Sequence, residues 1–318
     1  MAVATRCNPK DFFTPDEWAK LSAQSNWKGL ALVAHCWAVI IGAAAMALIW
    51  PITIPLAIVI IGGRQLGLGI LNHDAAHGAL HKNAQVNDWV GKKLLGGGLD
   101  TYRKTHLQHH KFAQQREDPD LKLSAPFPIT PTSLARKIRR DLTGQTYFQA
   151  RFGGTVKRLS ARKPGEKLAP LVWAELVRHR SQITQAVLFT AIGAPFGYWW
   201  AWWVLWLLPS MTWRQMITRF RSIAEHSLVA VDEPDPLKHA RTTKANLVER
   251  ALVAPYYVNY HCEHHMFMHI PCYQLPRAHR LLKAKGYHPR MEIQPDYLTM
   301  LRRAASKPEK RPPVAVAA

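Results

Sequence analysis

Apolar positions along this chain gather into three long runs separated by polar, basic sequence. Residues 29–50 carry no Asp, Glu, Lys or Arg, and a helix of that length, at about 1.5 Å per residue, crosses a hydrocarbon core about 30 Å thick. Residues 52–72 form a second run, interrupted only by Arg64. The third run, from Ile183 to Leu208, is Trp-rich and too long for one ordinary span. Pro195-Phe196-Gly197 inside it reads as a turn, so the pattern predicts two spans there.

Three histidine clusters lie between and after these runs: His73 and His77 in HDAAH, His106, His109 and His110 in HLQHH, and His261, His264 and His265 in HCEHH. Residues three and four apart share a helix face, so each cluster aims its rings into one small volume. Nitrogen donors alone recur, which suits zinc, copper, iron or nickel and not an iron–sulfur or thiolate site. Eight imidazoles exceed what one tetrahedral ion uses, so two ions are expected. HDAAH compares with the H-E-x-x-H helix of zinc proteases, but Asp74 stands where Glu would be the general base, and a protease leaves the other two clusters unexplained. His81 extends the first cluster to i, i+8 and is a possible ligand or outer partner. Asp74, Asp118, Glu225 and Glu263 are likewise possible ligands, or are placed to hold imidazole N–H groups around the metals.

Clusters that meet must lie on one side of the membrane, which requires an even number of crossings between His110 and His261. Two spans in the Trp-rich run satisfy this. The connections at Trp50-Pro51 and Pro195-Phe196-Gly197 lack Lys and Arg, whereas the N-terminal segment, residues 73–181 and the sequence after about Arg214 are densely basic and therefore expected in the cytoplasm. The expected fold is an all-α, multi-pass integral membrane protein: four transmembrane helices in two hairpins under a cytoplasmic helical cap. Its parts are a cytoplasmic segment at 1–28, a first hairpin at 29–72, cap sequence at 73–181, a second hairpin at 182–220, further cap at 221–300 and a disordered basic, Pro-rich tail at 301–318. Both termini and the metal site are expected to be cytoplasmic. Arg64, nine residues before His73, falls about 180° from the ligand face of a continuous helix, and is expected to snorkel or pair with a neighbouring span.

Composition narrows the partners. Lys and Arg number 42 against 21 Asp and Glu, a formal net charge of +21; membrane spans turn that excess toward anionic lipid headgroups, and no nucleic-acid motif is present. Cys7, Cys36, Cys262 and Cys272 are too scattered for a metal site or a disulfide framework. In HCEHH, Cys262 is expected to point away from the ligand face. The N-terminus has no apolar core of a cleavable signal, so the first span is expected to insert itself.

HDAAH after a hairpin, HLQHH followed by Glu117-Asp118-Pro119-Asp120, a second hairpin, and NYHCEHHMFMHIP with LPRAHRLL behind it resemble the membrane fatty acid desaturase family over residues 50–285. The resemblance implies four membrane helices under a cytoplasmic cap that holds two non-haem irons. It also implies a further histidine ligand at the end of the fourth span, and His226 occupies that place. Some relatives carry, four residues earlier, an Asn that reaches iron through water; here Ser222 stands there. The implied activity is dioxygen-dependent desaturation of a lipid acyl chain at the di-iron centre, with dioxygen as co-substrate. A lipid or carotenoid hydroxylase or ketolase of the same superfamily is the nearest alternative, and a His-rich zinc-binding or transport protein a remote one. Without a fused HPGG haem segment or a Cys-ligated redox centre, the two electrons are expected from a separate ferredoxin-like or b5-type carrier docking on the basic face. Acyl carrier, chain length and double-bond position are not encoded in these motifs.

Overall fold

A computed structural model describes residues 6–96, 98–124, 126–162, 165 and 167–308. The chain divides into two compact units, one formed by residues 1–37, 66–136 and 217–318, the other by 38–65 and 137–216. Both are predominantly helical. Helices are labelled α1 (Pro15–Ser22), α2 (Lys28–Ile49), α3 (Ile54–Ala76), α4 (Ala84–Lys93), α5 (Leu99–Lys111), α6 (Pro131–Leu142), α7 (Gln145–Ser160), α8 (Leu168–Gly193), α9 (Trp213–His226), α10 (His261–Met266), α11 (Leu275–Ala284) and α12 (Tyr297–Ala304).

Among the described residues, α2 and α3 are long and apolar enough to cross a membrane, the latter together with its leading turn from Pro51. They match the first two runs read from sequence. Ile41, Ile49, Trp50, Ile52 and Leu56 are exposed around them, an apolar surface that suits lipid better than water. Arg64 is buried. Because α3 runs unbroken to Ala76, it carries His73 in its last turn.

The expected second hairpin takes a different form. The helix that enters it, α8, begins at Leu168, and its first half holds Glu175, Arg178 and Arg180, so this helix does not qualify as an apolar span. The turn read at Pro195-Phe196-Gly197 is present: Ala194–Phe196 is a single tight helical turn, and Gly197 closes it at φ +77°, a conformation that costs glycine nothing. The returning chain is broken again. Trp202–Leu207 is π-helical, with the Leu208 N–H donating to Trp203 O, and Pro209 follows at once. Wider helical turns misalign carbonyls from their usual donors, and the Gln65 side chain donates to Trp206 O at 2.7 Å. Trp203 Nε1–H reaches Thr190 on α8 at 3.0 Å.

The first unit is held by contacts far apart in sequence. Phe12, Phe13 and Trp18 pack on Phe267, just beyond α10, and Glu17 of α1 pairs with Lys285 after α11 at 2.7 Å. Two short strands, β1 (Arg241–Thr243) and β2 (Glu292–Gln294), run parallel with Arg241 opposite Glu292. The tail expected to be disordered from residue 301 begins inside α12. Asp296 caps that helix by accepting the Thr299 N–H at 2.6 Å, and Met300 and Ala304 are buried, which fixes this turn in the fold. The part of that expected tail from 309 onward lies outside the described residues.

Candidate metal centre

Four helices bring histidines of the first unit in on their last turns: His73 on α3, His109 and His110 on α5, His226 on α9, and His264 and His265 on α10. His77 follows α3 directly. The carbonyl end of a helix is its negative end, so this arrangement favours a cation where the helices converge. Arginines take up carbonyls left without helical donors. Arg103 of α5 donates to Ala75 O and Ala76 O, both at 3.0 Å, and Asn87 of α4 shares Ala75 O at 2.9 Å. Arg241, almost wholly buried, donates to Ser227 O at 2.8 Å and to Ala224 O at the end of α9. The Arg103 bonds fix the first cluster against the helix that bears the second.

The nine histidines expected as ligands meet in two groups, the second made of two sets that share His226. His73, His77, His106, His110 and His264 each offer a nitrogen within 4.8 Å of the others, as do His109, His226 and His265; His261 falls with His226 and Glu225. In the first group the Nε2–Nε2 separations are 2.9 Å for His77–His106, 3.1 Å for His106–His110 and 3.0 Å for His110–His264. In the second they are 3.3 Å for His109–His265 and 2.9 Å for His226–His261. Neighbouring nitrogens about 2.1 Å from one ion stand roughly 3 Å apart, so these spacings fit ligand edges. His73 Nε2 is buried without a hydrogen-bond partner, a costly state unless a ligand takes its lone pair. Burial, reinforced by neighbouring imidazoles, holds His106, His110, His226, His261, His264 and His265 well below the ordinary imidazole range. Burial also brings His77 down to about 3. All are therefore kept neutral, the form that binds metal.

The surrounding carboxylates differ in what they touch. Asp118 accepts from His109 Nδ1 at 2.8 Å, orienting that ring as an outer partner does at histidine–metal sites. It also accepts the Gln114 and Asp120 backbone N–H groups at 3.0 and 2.8 Å. Glu225 lies between Arg221, 2.5 Å from its Oε1, and His261, 3.6 Å from its Oε2; burial pushes its carboxyl up, opposed by Arg221. Asp74 holds no imidazole and instead accepts the Cys272 N–H at 3.0 Å, joining the end of α3 to the loop after the third cluster. Glu263 does hold an imidazole N–H position, but that of His279 on α11 at 2.5 Å, and Thr242 of β1 donates to its other oxygen. His81 stands outside both groups: its Nδ1 accepts the Asn83 N–H at 3.0 Å. Cys262 points away from the ligands as expected, toward Leu237 O.

Reading the sequence did not single out Gln114, Arg103, Arg241, Thr242 or His279. Gln114 has φ +60°, unusual outside glycine, and its amide stands 3.5 Å from His226 Nδ1. Its backbone carbonyl accepts the Asp232 N–H at 2.8 Å. Position in LPRAHRLL was the one available signal for His279; nothing in the local spacing of the other four marks them.

Comparison with known proteins agrees with this geometry. Residues 48–296 match the family described as fatty acid desaturase. A protein named dihydrorhizobitoxine desaturase, from Bradyrhizobium elkanii, is 25% identical over 257 residues, covering 73% of this chain and 69% of that relative.

Proposed function

This chain belongs to the fatty acid desaturase family, and we propose that it is a membrane di-iron oxidoreductase that introduces a double bond into a lipid acyl chain. The observation that carries the reading is the convergence of all three clusters and His226 into close imidazole sets, five histidines in one and the remaining four in two sets that share His226. His73, His77, His106, His110 and His264 hold one iron, and His109, His226, His261 and His265 the other. When bound, the iron pair supplies dioxygen reduction and hydrogen removal from an unactivated methylene, chemistry beyond any side chain.

The reaction balances as two hydrogens removed from adjacent methylenes, two electrons from a carrier and two protons from solvent, with dioxygen reduced to two waters. The protein keeps His77, His106, His110, His226, His261, His264 and His265 neutral by burial, orients His109 through Asp118, and closes the carbonyl ends of α3 and α9 with Arg103 and Arg241. Four spans carry the chain, with both termini and the metal site cytoplasmic; α2, α3 and their exposed apolar side chains support membrane residence. The two electrons come from a separate ferredoxin-like or b5-type protein drawn to the basic face, a reading supported by the +21 formal charge.

The test is expression in a bacterial host, with iron content and total lipids compared between the wild type and His109→Ala. The expected outcome is about two irons per chain and products two hydrogens lighter than their precursors, both features diminished in the variant. A gain of one oxygen makes the protein a hydroxylase. Zinc alone, without oxygen consumption, overturns the oxidoreductase reading. The Bradyrhizobium relative is named for dihydrorhizobitoxine, so the mass comparison extends to small polar metabolites as well as lipids.

A further inference from the structure

We infer that Glu225 is a ligand of the second metal ion, adding a carboxylate beside His226 and His261 to the four imidazoles of that group; this rests on the di-iron reading above. Three observations point to it. The Glu225 carboxylate and the nitrogens of His226 and His261 lie within 4.8 Å of one another. Glu225 is almost wholly buried at the end of α9, beside the histidine that α9 delivers. Its two oxygens also face different groups. Oε1 is 2.5 Å from Arg221 Nε, while Oε2 lies 3.6 Å from His261 Nε2, too far for a hydrogen bond yet near enough for one ion to touch both.

A carboxylate whose only task is to pair with Arg221 has no need to direct its second oxygen at an imidazole nitrogen already 2.9 Å from another. One task for each oxygen accounts for both distances. Arg221 fixes the carboxylate and offsets the cost of burying it, leaving Oε2 to the ion. Four imidazoles and one carboxylate leave one position open on a six-coordinate ferrous ion. The first group, whose members are all imidazoles, has no counterpart, so the two ions would differ in net ligand charge by one unit.

The assignment is tested on full-length protein in detergent, loaded anaerobically with ferrous iron, by iron content and Mössbauer spectra of wild type, Glu225→Gln and Glu225→His. Gln keeps the shape and a weak contact to Arg221 but loses the anionic donor; His restores a ligand and abandons the ion pair. The expected result is two inequivalent iron signals in wild type, a selective weakening of one signal in Glu225→Gln with iron content falling toward one per chain, and recovery to two irons in Glu225→His. Two irons with unchanged spectra in Glu225→Gln overturn the assignment and leave the di-iron reading standing. Loss in both variants, through unfolding or through metal release from folded protein, assigns Glu225 to pairing with Arg221 and also overturns it. A wild type that takes up no iron removes the di-iron reading itself.

Discussion

The two histidine groups come from the same clusters but are held in different ways. His77, His106, His110 and His264 are linked nitrogen to nitrogen at 2.9–3.1 Å, with His73 packed against His106 and His264. The other group is tied outward: His109 to Asp118, His226 to the Gln114 amide, His261 toward Glu225. Helix ends and ring packing shape both, and the second adds polar partners of its own. Outer hydrogen bonds raise ligand basicity and fix ring orientation. Substitutions around the second group therefore tune a metal by degrees, whereas the first group can be altered chiefly by removing a ligand.

The largest effect expected from this contrast is that of His264→Ala. It deletes an imidazole in contact with His73 and His110, and iron content should fall by about one ion per chain, with turnover reduced by more than the ~100-fold that loss of an outer partner causes. Asp118→Asn should act more gently. Metal stoichiometry at saturation stays unchanged, while affinity at the second site drops ~10–100-fold, read by competition with a chelator. Equal affinities for Asp118→Asn and wild type would erase the distinction between the groups.

Acid provides a third test, directed at the first group. Burial lowers His77 from 6.5 to about 3, so below pH 6.5 the unfolded chain binds a proton that the folded site refuses. Stability of the metal-free protein is then highest above pH 6.5 and declines as pH falls toward 3. For His77 alone the loss at pH 5 is about 2 kcal/mol, at about 1.4 kcal/mol per pH unit. Thermal midpoints of metal-free protein measured between pH 8 and pH 5 should descend accordingly, and a flat profile contradicts the buried neutral site.

How much of this was legible beforehand follows from the range of each interaction. Spacing of three and four is a property of one helix, so HDAAH, HLQHH and HCEHH announced their ligand faces directly. The turn at Pro195-Phe196-Gly197 was equally local. Partners of the carboxylates were not, because proximity in sequence suggested the wrong ones: Glu263 stands between two cluster histidines yet turns to His279 and Thr242, and Asp74 adjoins His73 yet takes a backbone N–H from Cys272. The form of the second hairpin also escaped the pattern. Apolar content from Ile183 to Leu208 said nothing of the π-helical turn at Trp202–Leu207, or of α8 starting as far back as Leu168.

His81 gives the finest test of the contrast, because helical spacing and tertiary structure assign it different roles. At i+8 from His73 it would share the ligand face if α3 continued, but α3 ends at Ala76 and Gly78 follows at φ +68°, turning the chain away. His81 then accepts the Asn83 N–H at 3.0 Å, while the Asn83 side chain accepts from Gln85 and Val86 at the start of α4. His81→Ala should thus cost about 1 kcal/mol, the ordinary value of one hydrogen bond, seen as a small drop in thermal midpoint. Iron content and chelator competition should match the wild type. Loss of an iron would bring His81 into the first group and require the chain after Gly78 to close over the metal when it binds.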